Sequence, residues 1–543
     1  MESQIVLALS PAPGTPDASP QTQISVLGTK PALVRGVDVR AARTGAHAGR
    51  LRAYSGKRGV SFLPAQPFAE GEKVDVTLRL AHHRARRWSF TVATAGRTPP
   101  ILNITTTQPD KLQSFVSEPG LRAPKILVRK QGAAGSGSAF LTPLPSPVVH
   151  PGSTQTVTLS PVGPGGPMII DGRGRLVWFK QLTPPDVAAN LRVQRYHGRR
   201  VLTWWQGPVT AAAYGLGAGV IADSSYRTIK TVRAGNGYAM DIHEFTLAGR
   251  DALFTIYQPV IHDGVPLIDA IVQQVDIATG LVVWEWHSLG HIPLAQSYAT
   301  PANSATYDAF HINSVQAVRG GRVLISARDT SAVYLIRRAG SRILWTLGGK
   351  ASDFRLGPGA RFWFQHDARL LRGGRVSVFD DEAGPPQKAP RSRGLILRLR
   401  GRRATVARVL HRPGQTSAQS EGSVQSLPGG GHFVGFGAEP WFTQFDAAGR
   451  VVFDARLPVD DGSYRAYRFP WHAKPRTRPA AVLRDGFVYA SWNGATEVAA
   501  WKVGGTRVAR SGFETKIPVS GSGPFVVRAL DPHGRVLGTA TAS

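Results

Sequence analysis

One strand-and-turn pattern recurs about every 50 residues through the middle of this sequence. The hairpins HINSVQAVRGGRVLISAR (311–328) and EGSVQSLPGGGHFVGFGAE (421–439) share the five letters S, V, Q, G and G at equivalent positions, and QHDARLLRGGRVSVFDD (365–381) is a third copy. A second recurring unit pairs a turn with an aromatic strand: DGRGRLVWF (171–179), DIATGLVVWEW (276–286), RRAGSRILWTL (337–347) and DAAGRVVFDA (446–455). This spacing is typical of four-stranded β-propeller blades.

Apolar residues elsewhere alternate with polar ones in short runs, and Gly or Pro interrupts them roughly every 8–12 residues, which is typical of an all-β chain. We therefore predict an all-β protein in which residues 161–478 form a six-bladed β-propeller. Radial closure of the blades avoids the exposed sheet edges that one large open sheet would leave. The blades are expected at 161–208, 214–258, 268–329, 331–381, 394–439 and 441–478.

The segments that flank this region differ in composition. Residues 1–20 are rich in Pro, Ser and Thr and are predicted to be a disordered leader. Residues 21–97 alternate like a small N-terminal Ig-like β-sandwich, and residues 98–160 are predicted to be a connector with short strands. Residues 479–543 are predicted to be a C-terminal Ig-like or fibronectin-like β domain.

The chain has no Cys, which excludes disulfides, Cys-zinc sites, iron–sulfur clusters and thiol nucleophiles. HExxH and Walker A motifs are absent too, and we expect no metal and no cofactor. The formal net charge is +30, and 52 of the 65 basic residues are Arg. Polyanion binding would explain this excess, as would a GC-rich genome that scatters Arg codons; the second is favoured because no basic block with interleaved aromatics stands out.

No apolar run approaches the ~18 residues that a membrane span needs, so no transmembrane segment is expected. The N-terminal residues MESQIVLALS lack the basic region of a signal peptide. The sequence as written therefore shows no targeting signal, and it leaves the oligomeric state open.

The hairpin at 311–328 places candidate functional residues together. If Arg319 and Gly320 form a two-residue turn, His311 lies directly opposite Arg328, with Cβ atoms about 4.5–5.5 Å apart. Asn313, two residues on, is expected on the same face as His311. Aligning the Gly-Gly turns puts His366 at the position of Asn313 in the next blade, so these side chains are expected to converge at one end of the channel.

His243 in DIHEF is a further candidate. The alternation of side chains along its strand puts it on the same face as the others only if a bulge intervenes. Each His could equally be a hydrogen-bonded structural residue, and the Arg a solvated surface charge. The acidic run Asp380-Asp381-Glu382 could hold a cation, but a polar loop after a strand is the favoured interpretation.

The sequence resembles the bacterial arylsulfotransferase family, in its actinobacterial-type branch. The similarity runs from about residue 100 to the C-terminus and is carried by GPMIIDGRGRLVWF (166–179), DIHEF (241–245), FHINSVQ (310–316), LISARDTSAVYLI (324–336), ILWTLGGKASDF (343–354), FQHDARLL (364–371) and YRFPWHA (467–473). The resemblance implies a six-bladed propeller with an added β-sandwich. It also implies transfer of a sulfuryl group from a phenolic sulfate ester to a phenol through a sulfohistidine, without a nucleotide sulfate donor.

Residue by residue, the family's nucleophilic histidine corresponds to His366. Its HxNS histidine and asparagine correspond to His311 and Asn313, its active-site arginine to Arg328, and a further histidine to His243. The resemblance further implies an aryl sulfate donor and a phenolic acceptor as small-molecule partners, no nucleic acid, and an extracytoplasmic or secreted location.

Two other functions remain open at this point. A non-catalytic propeller could bind anionic glycans through its Arg-rich surface. A quinoprotein-like oxidoreductase is indicated only by DIATGLVVW, which resembles a tryptophan docking repeat and does not by itself bind a quinone.

Overall fold

The computed structural model describes residues 7–102, 104, 108–132, 137–145, 148–149, 157–158, 162–301, 306–384, 387–414 and 416–543. Its regular elements in these ranges are β-strands and five short 3₁₀ helices: Pro31–Leu33, Ser55–Lys57, Pro109–Lys111, Leu294–Gln296 and Pro428–Gly430. The prediction of an all-β chain is confirmed. No helix within the described ranges is long and apolar enough to cross a membrane.

The chain divides into two compact units, which are described separately. The first comprises Met1–Leu102, Gly207–Gly219 and Val232–His411; the second comprises Asn103–Gln206, Val220–Thr231 and Arg412–Ser543. All five candidate residues named above lie in the first unit.

The first unit begins with two four-stranded antiparallel sheets. Their strands, in order across each sheet, are Ala8–Ser10, Ile24–Leu27, Gly59–Pro64 and Gly49–Ala53, then Gly45–Ala46, Val34–Ala41, Lys73–Leu80 and Arg86–Thr91. Strand Lys73–Leu80 shows why they pack: Val74, Val76 and Leu78 are buried while Lys73 and Asp75 are exposed. This period-2 alternation buries one face of the strand in a shared apolar core.

The predicted leader differs from expectation from residue 7 onward. Ala8–Ser10 pair with the strand Ile24–Leu27, and the Trp88 indole donates a hydrogen bond to the Pro11 carbonyl (3.1 Å). Ala18 is fully buried in the same core. Apolar contacts and backbone pairing therefore order this Pro-rich segment; residues 1–6 lie outside the described residues.

Three further antiparallel sheets complete the first unit, and each is built from strands that follow one another along the chain. Their strands are Phe245–Ala248, Asp251–His262, Val265–Asp276 and Val282–His287; Ile312–Val318, Arg322–Ala327, Ala332–Arg337 and Arg342–Gly348; and His366–Leu371, Arg375–Asp380, Arg393–Arg400 and Arg403–Leu410. Thr94–Ala95 extends the first of these sheets beside Asp251–His262, and Arg355–Leu356 pairs in parallel with Arg403–Leu410.

The sheet boundaries differ from the predicted blade boundaries. A blade was expected to end at 329 and the next to begin at 331, yet one sheet runs from Ile312 to Gly348. Arg322–Ala327 pairs with Ala332–Arg337 along its whole length, because residues 328–331 form a tight turn in which the Ser331 N–H donates to the Arg328 carbonyl. The hairpin and the aromatic strand that follows it thus belong to the same sheet.

Sheets 312–348 and 366–410 pack face to face and fix the strand that begins at His366. Their common core includes Leu324, Leu335, Val378 and Leu395, all buried. The Gln316 side chain bonds both the Leu370 N–H (2.7 Å) and the Leu370 carbonyl (3.3 Å) of the neighbouring sheet. These contacts align the two sheets so that their glycine turns lie at one end and the candidate histidines at the other.

The second unit contains three larger sheets and several shorter pairings. In order across each sheet, the strands are Leu176–Phe179, Met168–Ile170, Ser138–Leu141 and Tyr467–Phe469; Val187–Tyr196, Arg199–Gly207, Ala218–Ala222 and Thr228–Val232; and Leu127–Gln131, Val451–Arg456, Trp441–Phe445, His432–Gly435 and Ser423–Ser426. Two-stranded pairings join Pro143–Pro145 with Asp461–Ser463 and Val148–Val149 with Val157–Thr158. The predicted connector thus supplies strands to two of the larger sheets.

The second unit ends with two sheets that enclose a small core. Their strands are Ala480–Arg484, Phe487–Ser491 and Glu514–Pro518, then Thr506–Ala509, Ala500–Val503, Phe525–Leu530 and Val536–Ala542. Trp501, Ile517 and Val527 are buried between them.

Candidate functional site

The hairpin that carries His311 and Arg328 differs in its turn from the prediction but keeps the predicted pairing. The loop has three residues, Arg319, Gly320 and Gly321, because Val318 pairs with Arg322. One extra residue, Asn313, then bulges between the pairs Ile312–Ala327 and Ser314–Ser326 and shifts the register back. The Arg328 N–H accordingly donates to the His311 carbonyl at 2.9 Å.

Each of the three candidate histidines binds a carboxylate through Nδ1. The distances are 2.6 Å from His243 to Asp241, 2.7 Å from His311 to Asp308, and 2.8 Å from His366 to Asp381. Because a carboxylate only accepts hydrogen bonds, Nδ1 carries the proton, and a neutral ring then has its lone pair on Nε2. Each carboxylate thus selects the same tautomer of its neutral imidazole, with the proton on Nδ1.

His243 and His311 lie against each other. Their ring centroids are 4.7 Å apart in an edge-to-face arrangement, and Tyr257 stacks on His243 with centroids 5.0 Å apart. The Tyr257 hydroxyl donates to the Ile312 carbonyl (2.8 Å), which fixes the ring beside both histidines. The structure therefore places His243 beside His311, although side-chain alternation along its strand predicted this only with a bulge.

The surroundings move the pKa values of these two neighbours in opposite directions. Burial lowers the pKa of His243, and this outweighs the opposing effect of Asp241. Burial also acts to lower the pKa of His311, but the charge and hydrogen bond of Asp308, with the charge of Asp329, raise it above its ordinary value. His311 consequently holds its second proton more readily than His243 does.

Arg328 and Asn313 link this pair to the strand of His366. The Arg328 guanidinium lies 4.8 Å from the centre of the Phe364 ring and binds Asp329 at 2.7 Å. The Asn313 amide donates to the carbonyl of Gln365 (2.7 Å), the residue before His366. The predicted set is thus connected through residues 364–366, while the direct ring contact is between His243 and His311.

Several non-glycine residues around the site have a left-handed backbone. They are His311 (φ 55°), Phe364 (φ 53°), Asp367 (φ 52°) and Glu382 (φ 53°). Such conformations cost about 1–3 kcal/mol each and persist where surrounding contacts fix them. Here the Arg369 side chain holds the Asp367 carboxylate at 2.6 Å and also binds Glu244 at 2.7 Å.

The acidic groups of the site are arranged for ion pairing. Ligand atoms of Asp308, His311 and Asp329 lie within 4.8 Å of one another, a spacing that could hold a cation. Asp308 already binds His311, however, and Asp329 binds Arg328. The acidic run after strand Arg375–Asp380 is likewise occupied: Asp381 binds His366, while Asp380 and Glu382 bind Arg393 at 2.9 Å each.

The aspartates that orient the histidines were missed in the sequence, and two of them left a signal. Asp241 precedes His243 by two residues and Asp308 precedes His311 by three, so local turns bring each carboxylate to its ring. Asp381 is recognisable only from the hairpin register, since His366 pairs with Phe379 two residues before it. From the sequence alone, Asp381 is predicted to be part of a polar loop.

Comparison with known proteins adds one decisive observation. The sequence model of the family described as arylsulfotransferase (ASST) matches residues 192–457. Residues 192–457, just under half of the chain, thus match the arylsulfotransferase family. All three histidine–aspartate pairs, with Asn313 and Arg328, fall inside the matched segment.

Other comparisons add little to this family assignment. No curated protein matches the chain. Among solved structures, a protein of unknown function from Bacteroides caccae is 13% identical, with 62% of this chain and 99% of that chain covered and a TM-score of 0.38. Apo AztD from Citrobacter koseri is 12% identical, covering 92% and 100% of the two chains at a TM-score of 0.23. At such TM-scores these likenesses carry no inference.

Proposed function

We propose that this protein is an aryl-sulfate sulfotransferase that moves a sulfuryl group from a phenolic sulfate ester to a phenol through a sulfohistidine at His366. The observation that carries the proposal is the buried His366–Asp381 pair within the arylsulfotransferase segment. A buried imidazole whose Nδ1 proton is held by a carboxylate is set to attack through Nε2.

The chemistry divides into two displacements. In the first, Nε2 of His366 attacks sulfur, the bond from sulfur to the aryl oxygen breaks, and the electron pair leaves with the phenoxide. In the second, the oxygen of an incoming phenol attacks the same sulfur, and the N–S bond breaks. A covalent intermediate replaces one difficult step with two easier ones.

His311 supplies the proton for the first step and receives one in the second. Its raised pKa favours the protonated form, as a general acid requires. After protonating the leaving phenoxide it is neutral and can accept the proton of the incoming phenol. His243, neutral because burial lowers its pKa, avoids placing a second positive charge against His311.

Arg328 is assigned to the sulfuryl oxygens. A planar guanidinium can bind two oxygens of one sulfuryl group at once, which matches the negative charge that spreads over them in the transition state. Its contacts with Asp329 and the Phe364 ring set its orientation beside the His366 strand. Asn313 keeps residue 365 in place and thereby supports His366.

The proposal extends to the architecture that the family resemblance implies. Within the second unit, the sheet in which Ser138–Leu141 pairs with Tyr467–Phe469 supports a propeller, because closing a ring of blades needs strands from both ends of the region in one sheet. The flanking Ig-like domains and the extracytoplasmic location stay predictions.

The direct test is to trap the intermediate. The protein is incubated with 4-nitrophenyl sulfate without acceptor, quenched at alkaline pH and digested with trypsin. The peptide Phe362–Arg369 should gain one sulfuryl group, and added phenol should remove it. In His366→Asn the label and turnover should both vanish, whereas His262→Asn, which changes another aspartate-bound histidine, should keep both.

The same experiment separates the rival functions. Turnover that survives in His366→Asn would refute the assignment of the nucleophile. No release of 4-nitrophenol by the wild-type protein would favour a non-catalytic role, and quinone absorbance in the purified protein would favour an oxidoreductase.

A further inference from the structure

The first unit carries rows of arginines at the end of its strands opposite the histidines. In sheet 312–348, Arg322 pairs with Arg337 and Arg337 pairs with Arg342, so three guanidinium-bearing residues stand side by side on adjacent strands. Residues directly opposite in antiparallel strands have Cβ atoms about 4.5–5.5 Å apart and share one face of the sheet. Like charges at this spacing repel each other.

The neighbouring sheet repeats the arrangement. Arg375 pairs with Arg398, and Arg403 pairs with Arg400 on one side and Arg355 on the other. All five of these side chains are exposed. We call the eight arginines of the two sheets the arginine rows: Arg322, Arg337, Arg342, Arg355, Arg375, Arg398, Arg400 and Arg403.

The turns that begin these rows have the same sequence and geometry. Both read Arg-Gly-Gly-Arg, at 319–322 and 372–375, and all four glycines have positive φ, between 65° and 78°. In each turn the Nε of the second arginine donates to the carbonyl of the first, at 2.9 and 3.2 Å. The two guanidinium groups are therefore held in equivalent orientations at the same end of consecutive sheets.

The rows have little negative charge to balance them. Residues 394–410 contain five arginines and no acidic residue, and residues 319–342 contain six arginines and one acid, Asp329, which lies at the histidine end. No ion pair of an arginine-row residue is found in the described part of the chain; the pair nearby in sequence is Arg402–Asp353. A surface that places unbalanced like charges in register costs stability unless an anion binds it.

We propose that the arginine rows bind an acidic polysaccharide, with sulfate or carboxylate groups of successive sugars lying between neighbouring guanidinium groups. Guanidinium groups pair with such oxyanions bidentately. An extended polymer with regularly placed anions can contact several arginines of a row at once, which a small anion cannot.

The surroundings favour a polysaccharide over single-stranded nucleic acid. Single-stranded nucleic acid is bound by exposed aromatic rings on which bases stack. No Phe, Tyr or Trp in the described residues from 312 to 410 is exposed. The described residues from 312 to 410 also contain no helix that could enter a DNA groove. The proposal is independent of the chemistry at His366.

The test compares two triple variants with equal loss of charge. Arg322→Gln/Arg337→Gln/Arg342→Gln removes one row, and Arg50→Gln/Arg52→Gln/Arg87→Gln removes three exposed arginines that have no arginine opposite them. Binding of size-fractionated heparin is measured by calorimetry between 50 and 300 mM NaCl. The row variant should bind at least ~10-fold more weakly at 100 mM NaCl, with a shallower salt dependence since fewer counterions are released. The control should stay within ~2-fold of wild type.

Equal weakening in both triple variants would show that net charge alone governs binding and would overturn the proposal. Double-stranded DNA of matched charge bound as tightly as heparin would also overturn it. The unfolding midpoint of the row variant at low salt should be no lower than that of wild type, because repulsion is removed. If the triple variant does not fold, the single change Arg337→Gln, in the middle of the row, should still weaken heparin binding about threefold against Arg52→Gln, and no difference would refute the proposal.

Discussion

Replacing Asp381 with Asn tests how His366 is held for attack. The change keeps the size of the side chain. The carboxylate that accepts the 2.8 Å hydrogen bond from Nδ1 of His366 becomes an amide, which can also donate. If the amide donates to Nδ1, it stabilises the tautomer whose proton is on Nε2. In that tautomer Nε2 has no lone pair with which to attack sulfur. Activity should then depend on the minority tautomer.

The expected loss follows from the burial of the pair, since Asp381 is fully buried and His366 is 1% exposed. A hydrogen bond to a buried charged group contributes about 1.5–3 kcal/mol. At the upper end this corresponds to a rate loss of about 150-fold, since 1.36 kcal/mol changes a rate tenfold. The same Asp→Asn change in Ser-His-Asp triads costs about 10⁴-fold, so kcat should fall between about 10²- and 10⁴-fold.

The assay is turnover of 4-nitrophenyl sulfate with excess phenol, together with the rate at which peptide 362–369 becomes labelled. Asp17→Asn is a matched control, because Asp17 binds His262 at the same distance, 2.8 Å, away from the candidate site. The control should keep wild-type kcat. A kcat for Asp381→Asn within threefold of wild type would refute the orientation argument, whereas unchanged labelling with slow turnover would move the role of Asp381 to the second half-reaction.

Three further outcomes are expected. The pH profile of kcat/KM should be bell-shaped. It should fall at acid pH as His243, whose pKa is lowered, gains a proton, and at alkaline pH as His311, whose pKa is raised, loses one. A profile that keeps rising above pH 9 would contradict the assignment of His311 as the general acid. Arg328→Lys keeps the charge but loses bidentate binding, so kcat should fall about 10- to 100-fold with wild-type melting temperature. Leu395→Ala, in the fully buried core between sheets 312–348 and 366–410, should lower the free energy of unfolding by about 2–5 kcal/mol in urea titrations, and a loss below 1 kcal/mol would show that this core is loosely packed.

The strand content and the pairing of His311 with Arg328 could be predicted because both rest on period-2 patterning and hairpin register. The predicted length of the turn between these two residues was wrong by one residue, since Arg-Gly-Gly-Arg is compatible with either a two- or a three-residue loop. The bulge at Asn313 compensated for it. No local sequence signal marks that bulge, because it is stabilised by a contact with Gln365, which lies just before the strand His366–Leu371.

The blade boundaries were predicted less well because tight turns look alike in sequence. The turn at 328–331 joins two strands of one sheet, whereas the longer segment 349–365 lies between the four-stranded sheet 312–348 and the strand that begins at His366. The arginine rows were missed for a related reason. Arg322 lies 15 residues before Arg337, and Arg342 lies five residues after it. Only strand pairing aligns the three, so a search for basic blocks does not find them.

The histidines and the arginine rows lie at opposite ends of the same strands, and this separation has an electrostatic consequence. Strand Ile312–Val318 spans roughly 20 Å at about 3.4 Å per residue. The screening length is about 8 Å at physiological ionic strength and about 30 Å at 0.01 M salt. A polyanion held at the rows therefore leaves the field at His311 almost unchanged in physiological salt, so the protein could stay attached to a polymer while small aryl sulfates turn over at the other end. Only in dilute buffer does a charge at one end change the electrostatic potential at the other.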